Sequence, residues 1–159
     1  MHPKPKKSLG QNFLIDENII NLIVDVGDVK NNDIVIEVGP GTGNLTEKLI
    51  LKKPKKLILI EKDKTLVEKL NSRFKENITL LNKDILKVEE EEFKNDKMIF
   101  FGNLPYNISS QLLVKWIRKH NLNSICKKMI LMFQKEVADR ILAITNHRDY
   151  GRLSILSSW

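Results

Sequence analysis

Four consecutive residues, Asn103-Leu104-Pro105-Tyr106, have the types needed to handle an amine that is a poor nucleophile. The lone pair of an exocyclic amine such as adenine N6 is delocalised into its ring. A site that alkylates it must draw the nitrogen toward tetrahedral geometry and align it with the group being transferred. Two hydrogen-bond acceptors for the two amine hydrogens do this, here the Asn103 side-chain oxygen and the Leu104 carbonyl. Pro105 restricts the backbone and directs that carbonyl. Tyr106 offers a flat face on which an extruded base can stack. The plainer alternative is an Asn-Leu-Pro turn closing a strand. His2, His120 and His147 sit in no catalytic context, which suits a transfer that uses neither a metal nor a nucleophilic side chain.

A second constellation is Glu37-Val38-Gly39-Pro40-Gly41-Thr42-Gly43. Alternate glycines after a strand let the backbone turn tightly and approach a ligand closely. The dinucleotide fingerprint places its third glycine three residues beyond the second; Gly43 is only two beyond Gly41, which argues against a pyrophosphate cofactor. The pattern G-x-G-x-G after an acid-bearing strand resembles motif I of S-adenosylmethionine methyltransferases. Glu61 ends the next apolar run, where a carboxylate can accept hydrogen bonds from both ribose hydroxyls of an adenosine ligand. The competing reading is a surface Glu paired with Lys62 or Lys64. Asp84 follows a third run and could bond the adenine amine of that ligand, or equally cap the segment Ile85 to Lys87.

These residues need elements to hold them. Asp16 can cap a helix with Ile19, Ile20, Ile23 and Val24 on one face. Strands are expected at 33–39, 57–61, 78–82, 98–103 and 129–133. Helices are expected at 45–51, 66–74 and 109–120, the last with Leu112, Leu113, Trp116 and Ile117 inward, and another through Val137, Ile141 and Leu142. Apolar strands alternating with helices predict an α/β fold, a doubly wound and mostly parallel sheet with helices on both faces. Residues 1–15 read as a basic arm and 16–159 as the catalytic domain. The charge run Glu89 to Glu92 reads as a solvated turn.

The chain has 159 residues, enough for one ordinary core. Apolar content of 42% and charged content of 30% exclude a disordered chain. One cysteine, Cys126, excludes an intrachain disulfide, and a small residue leading into a strand is its simplest role. There is no secretory signal and no apolar run of membrane-spanning length, so a cytoplasmic protein without a membrane partner is expected. The net charge of +7 favours a polyanionic partner. Lys6 and Lys7 on the arm, Lys115 and Arg118 after Asn-Leu-Pro-Tyr, and Lys135, Arg140 and Arg152 near the C-terminus are expected to form a basic rim around the base pocket, contacting RNA phosphates. The alternative is charge scattered over the surface. The sequence stops at Trp159 directly after the apolar pattern of Arg152 to Trp159, and it reads as a fragment lacking a C-terminal part.

Five segments together resemble the bacterial KsgA-type small-subunit rRNA adenine dimethyltransferases. They are Lys7 to Leu14 (KSLGQNFL), Glu37 to Thr46 (EVGPGTGNLT), Asn103 to Tyr106, Phe133 to Arg140 (FQKEVADR) and Tyr150 to Ser154 (YGRLS). The resemblance implies a class I methyltransferase fold and S-adenosylmethionine as cofactor. It implies contacts to that cofactor at Asn12, Leu14, Gly39, Glu61, Asp84 and Asn103, with Gly41 and Gly43 completing the loop. It implies two methyl groups on each of two adjacent adenosines near the 3′ end of small-subunit rRNA, during ribosome assembly, with the immature subunit as partner and no metal. A monomer is expected. The family also carries two further strands and a small helical domain that this chain lacks. The macrolide-resistance enzymes, which dimethylate an adenine of large-subunit rRNA, are the second resemblance; they share the Gln-Asn-Phe element but typically lack the Leu of N-L-P-Y.

Overall fold

A computed structural model of the chain describes residues 6, 10–88, 97–104, 108–119 and 122–158. The Asp16 carboxylate accepts hydrogen bonds from the backbone N–H groups of Asn18 and Ile19, at 2.9 and 3.2 Å, and so opens helix α1 (Glu17–Gly27). Ile20, Ile23 and Val24 face inward, whereas Ile19 is 45% exposed. The buried stripe is narrower than expected and passes through Gly27, which leaves Ile19 on its margin.

Five strands follow: β1 (Ile34–Val38), β2 (Lys56–Ile60), β3 (Thr79–Leu81), β4 (Met98–Asn103) and β5 (Cys126–Met132). All pair in parallel, in the order β3-β2-β1-β4-β5. Between them run α2 (Asn44–Leu51), α3 (Lys64–Phe74), α4 (Ser109–Ile117) and α5 (Leu122–Ile125); α6 (Lys135–Leu142) and α7 (Arg152–Ser158) come after. This is the doubly wound α/β sheet that the alternation predicts.

Successive strand residues point to opposite faces, and each face has its own core. Val35, Leu57, Leu59, Ile99 and Phe101 pack with α1, α2 and α3. Ile36, Ile58, Ile60, Met98 and Phe100 pack with α4 and α5, where the Phe100 and Trp116 rings lie 5.3 Å apart. The seat of α1 is tight: a Cβ placed on Gly27 would lie 2.3 Å from Cζ of the fully buried Phe101. No larger residue fits there without moving that ring.

β5 begins three residues before the expected start. The pairing Met98 with Cys126 and Ile99 with Lys128 leaves Lys127 as an extra residue. Both lysines find partners: Lys127 Nζ donates to Asp33 Oδ1 at 2.6 Å, and Lys128 Nζ to the carbonyls of Val26 and Gly27 at 3.0 and 3.3 Å. Cys126 leads the strand, half-buried, as expected. The pattern at 152–158 folds as α7, whose buried Ser154 donates to the Arg140 carbonyl at 2.6 Å and ties α7 to α6. The run Glu89 to Glu92 lies outside the described residues. Among the described residues, no helix is long and apolar enough to cross a membrane, and no group of three or more His, Cys, Asp or Glu could hold a metal ion.

Candidate functional site

The register assembles the site. Val38 pairs with Ile60 on one side and with Gly102 on the other, and Ile60 pairs with Leu81. The next residues, Gly39, Glu61, Asn103 and Asn82, therefore emerge at one level on the carboxyl edge of the sheet. Ligands of open α/β sheets bind at this edge.

Gly39, Gly41 and Gly43 all have positive φ, at 66°, 59° and 85°, and carry the chain from β1 into α2. At Gly41 an added Cβ would lie 2.9 Å from the Phe13 ring, so the arm packs directly on the loop. Glu61 is 7% exposed, which rules out a surface pair with Lys62 or Lys64. It accepts from the backbone N–H of Asp63 at 2.9 Å and of Gly41 at 3.4 Å. Burial pushes its carboxyl above the ordinary carboxylate range, and those N–H groups partly offset the effect. Lys62 instead reaches Asp84 Oδ2 at 2.9 Å. Asp84 also accepts from Leu86 N at 3.1 Å and so caps the turn Ile85–Lys87; the Lys62 hydrogen bond holds its carboxyl below the ordinary value.

The arm closes the site from above. Asn44 Nδ2 donates to the Leu14 carbonyl at 2.8 Å, and Asn103 Nδ2 to the Asn12 carbonyl at 2.7 Å. Two cavities meet at this second bond. One, of about 180 Å³, is lined by Asn12, Leu14, Gly39, Gly41, Glu61, Asp84 and Asn103, with Leu66, Ile85 and Leu86 as apolar walls. The other, of about 390 Å³, lies between the arm and β5, lined by Asn12, Phe13, Ile19, Leu104, Met132 and Phe133. The first fits the adenosine part of S-adenosylmethionine by its chemistry. A buried carboxylate, Glu61, stands at the end of β2 for a ribose diol, Asp84 stands at the end near β3, and apolar side chains provide walls for a flat ring.

Not every expected residue lies on a rim of this site. Lys115 is turned inward, donating to the carbonyls of Leu86 at 3.2 Å and Val88 at 2.6 Å, so its ammonium braces the turn after Asp84. Arg118 caps the far end of α4, which runs antiparallel to the strands. It therefore stands near the amino edge of the sheet, beside the approach to β5, and not with Asn103. Lys135 starts α6 directly beyond the carboxyl end of β5, with its side chain 87% exposed, and Arg140 and Arg152 are exposed. Lys6 makes an ion pair with Asp63. Lys7, Pro105 and Tyr106 lie outside the described residues. Gln11 and Asn44 fall within the segments that carry the resemblance but have no role assigned there, and Asp63 was not singled out; Asp63 had a readable signal, an Asp two residues before Thr65 at the head of an apolar helical period.

Beneath the loop lies Glu37, fully enclosed and accepting from Thr46 Oγ1 at 2.7 Å. Burial raises its carboxyl from 4.5 to about 8. An acid whose folded value is raised holds its proton in the folded state after the unfolded chain has lost it. Stability therefore falls as pH rises through the window from 4.5 to about 8 and is level above it. The variant Glu37→Gln is expected to unfold with a weaker pH dependence across this window, as read by denaturant melts at several pH values. An unchanged slope would show that Glu37 is ionised in the folded protein.

Residues 2–159 match the family described as ribosomal RNA adenine dimethylase. Ribosomal RNA small subunit methyltransferase A of Pelagibacter ubique is 52% identical over 159 residues, covering 100% of this chain and 60% of that protein. Its namesake from Wolbachia of Drosophila simulans is 45% identical over 97% of this chain and 57% of its own length. Among solved structures, a dimethyladenosine transferase from Plasmodium falciparum superposes with TM-score 0.79 at 34% identity, over 91% of this chain and 51% of the other. The 23S rRNA methyltransferase ErmE does so with TM-score 0.70 at 26% identity, over 92% and 55%. The chain thus spans little more than half the length of these relatives. A glycine loop, a buried carboxylate at the end of β2 and an Asn at the end of β4, on a sheet of this order, agree with that match: the chain belongs to the ribosomal RNA adenine dimethylase family, whose members are class I methyltransferases using S-adenosylmethionine.

Proposed function

We propose that this chain carries the cofactor-binding and base-binding part of an enzyme that methylates the N6 amine of adenosines in small-subunit rRNA. Two methyl groups would go to each of two adjacent adenosines near the 3′ end, on the immature small ribosomal subunit. The observation that carries this reading is the Asn103 amide at the junction of the two cavities. Its Nδ2 is committed to the Asn12 carbonyl at 2.7 Å, so Oδ1 is the end of the amide left to accept from a target amine. When bound, S-adenosylmethionine supplies an activated methyl group. Glu61 and Asp84 would hold its ribose and adenine, Gly39, Gly41 and Gly43 would let the backbone approach it, and Asn12 and Leu14 would cover it. Asn103 and the Leu104 carbonyl would orient the target amine, while Pro105 and Tyr106 follow directly in sequence to direct that carbonyl and stack the base. Lys135, Arg140 and Arg152 fit phosphate contacts because they are exposed cations on elements that follow β5. Lys7 on the arm would join them.

Specificity for the small subunit is supported by the names of curated relatives 42–52% identical to this chain. The large-subunit alternative has the fold likeness to ErmE at 26% identity. Transfer of labelled methyl from S-adenosylmethionine to immature small subunits and to large-subunit rRNA separates the two, with the modified base mapped. Label on paired adenosines near the 3′ end of small-subunit rRNA is expected. Label confined to large-subunit rRNA, or none from a folded sample, would overturn the proposal.

A further inference from the structure

Among the described residues, side chains of the body hold the arm by hydrogen bonds at Asn103, Asn44 and Asp63, and the last differs in kind. At Asn103 and Asn44, a side-chain amide holds a backbone carbonyl of the arm. At Asp63, a carboxylate holds two arm side chains. The Asp63 side chain is only 4% exposed, yet Lys6 Nζ lies 2.9 Å from Oδ1 and 2.8 Å from Oδ2, and Gln11 Nε2 donates to Oδ2 at 3.0 Å. Gln11 Oε1 in turn accepts from the Lys6 backbone N–H at 2.9 Å, so the two residues grip Asp63 as a pair. Asp63 also faces the site. Its Oδ1 caps α3 by accepting from Thr65 N at 3.0 Å, and its own N–H donates to Glu61 Oε1 at 2.9 Å.

A helix cap needs one carboxylate oxygen and no cation. The second oxygen of Asp63 is committed to the arm, and a carboxylate this enclosed is costly without a charged or hydrogen-bonded partner. From the grip at Gln11 to the carbonyls held at Asn12 and Leu14, the arm forms one wall of the cavity, which Gly10 to Leu14 line. We propose that Asp63 is a positioning residue of the cofactor site: with Lys6 and Gln11 it latches the arm over the pocket, and release of this latch sets how fast the ligand leaves. The inference rests on reading this cavity as the cofactor pocket. Burial alone would raise the Asp63 carboxyl, but the bonds from Lys6 and Gln11 outweigh it and hold the group ionised, as the latch requires.

The latch has two properties that simple packing lacks. It is ionic with a half-exposed lysine, so added salt weakens it. It acts on the closed state, so its loss speeds departure more than it slows arrival. Asp63 is left intact in the test because it caps α3. Stopped-flow release of S-adenosylhomocysteine is measured from the wild-type chain and from Lys6→Met, Lys6→Arg and Gln11→Leu. Release from Lys6→Met is expected to be about fivefold faster, with the association rate within about twofold. Lys6→Arg should stay near wild type, and Gln11→Leu should fall between. Raising salt from about 0.05 to about 0.5 M should speed release from the wild type and leave Lys6→Met nearly unaffected. If Lys6→Met and Gln11→Leu both release the ligand at the wild-type rate with the same salt response, the latch is overturned while the pocket stands. If the folded wild type binds no S-adenosylhomocysteine, the reading of the pocket falls, and the latch with it.

Discussion

Replacing Asn103 with alanine is expected to lower the rate of methyl transfer at saturating substrate by about a hundredfold or more. The Asn103 amide is well placed to act on the target rather than on the cofactor alone. It stands at the last position of β4, where the two cavities meet, and its Nδ2 is tied to the arm. Truncation removes the acceptor that would turn the amine lone pair out of conjugation, and Asn82, the other amide at that level, ends β3 three strands away with its Nδ2 donating to the carbonyls of Glu61 and Lys62. The loss of one hydrogen bond to the Asn12 carbonyl should cost about 1 kcal/mol of arm docking, so cofactor affinity should fall by no more than about tenfold. Single-turnover kinetics and calorimetry separate the two effects. A variant that keeps wild-type turnover while binding cofactor poorly would move Asn103 from the target amine to the cofactor.

Glu61→Ala should weaken binding of S-adenosylmethionine by about ten- to a hundredfold, corresponding to roughly 1.5–3 kcal/mol for charge-assisted bonds to a ribose diol. The structure adds a second reason for a large effect. The same carboxylate accepts from Gly41 N and Asp63 N, so alanine also deprives the glycine loop and the head of α3 of a common acceptor. Glu61→Gln would be a poor replacement, because its NH2 end would meet one of these two N–H donors. Calorimetric titration with cofactor should therefore find both variants weak, with alanine weaker. An unchanged dissociation constant for Glu61→Ala would remove the ribose role.

Much of this was readable from the chain alone, for a physical reason. Strands buried on both faces are continuous apolar runs, and the acid, glycine or amide that ends each run marks the carboxyl edge of the sheet. Glu61 and Asn103 were legible in that way, and parallel pairing then places them at one level. Residues that act across the fold were not legible. Lys6 and Asp63 are 57 positions apart, and the Asn12–Asn103 pair 91; local spacing holds no trace of such contacts. Lys115 illustrates the opposite error. A lysine on a helix after a functional turn reads as a solvated cation, but this one turns inward to donate to the carbonyls of Leu86 and Val88. The start of β5 was misplaced because two consecutive lysines look like loop. On an edge strand their stems can lie along the sheet while their ammonium groups reach Asp33 and the end of α1.

The bond from Asn103 to the Asn12 carbonyl also bears on inhibition. It lies at the seam between the smaller chamber and the larger one beside β5, and Asn12, Phe13, Leu14, Asn103 and Leu104 line both. A single molecule that joined an adenosine-type group in the first chamber to a purine in the second would have to pass this seam. Its linker would have to be slim and carry an amine-like donor at the crossing, to take up the Asn103 oxygen without prising away the arm. Joined analogues built on this plan would gain from occupying two chambers at once, and a bulky linker would forfeit that gain by holding the arm open.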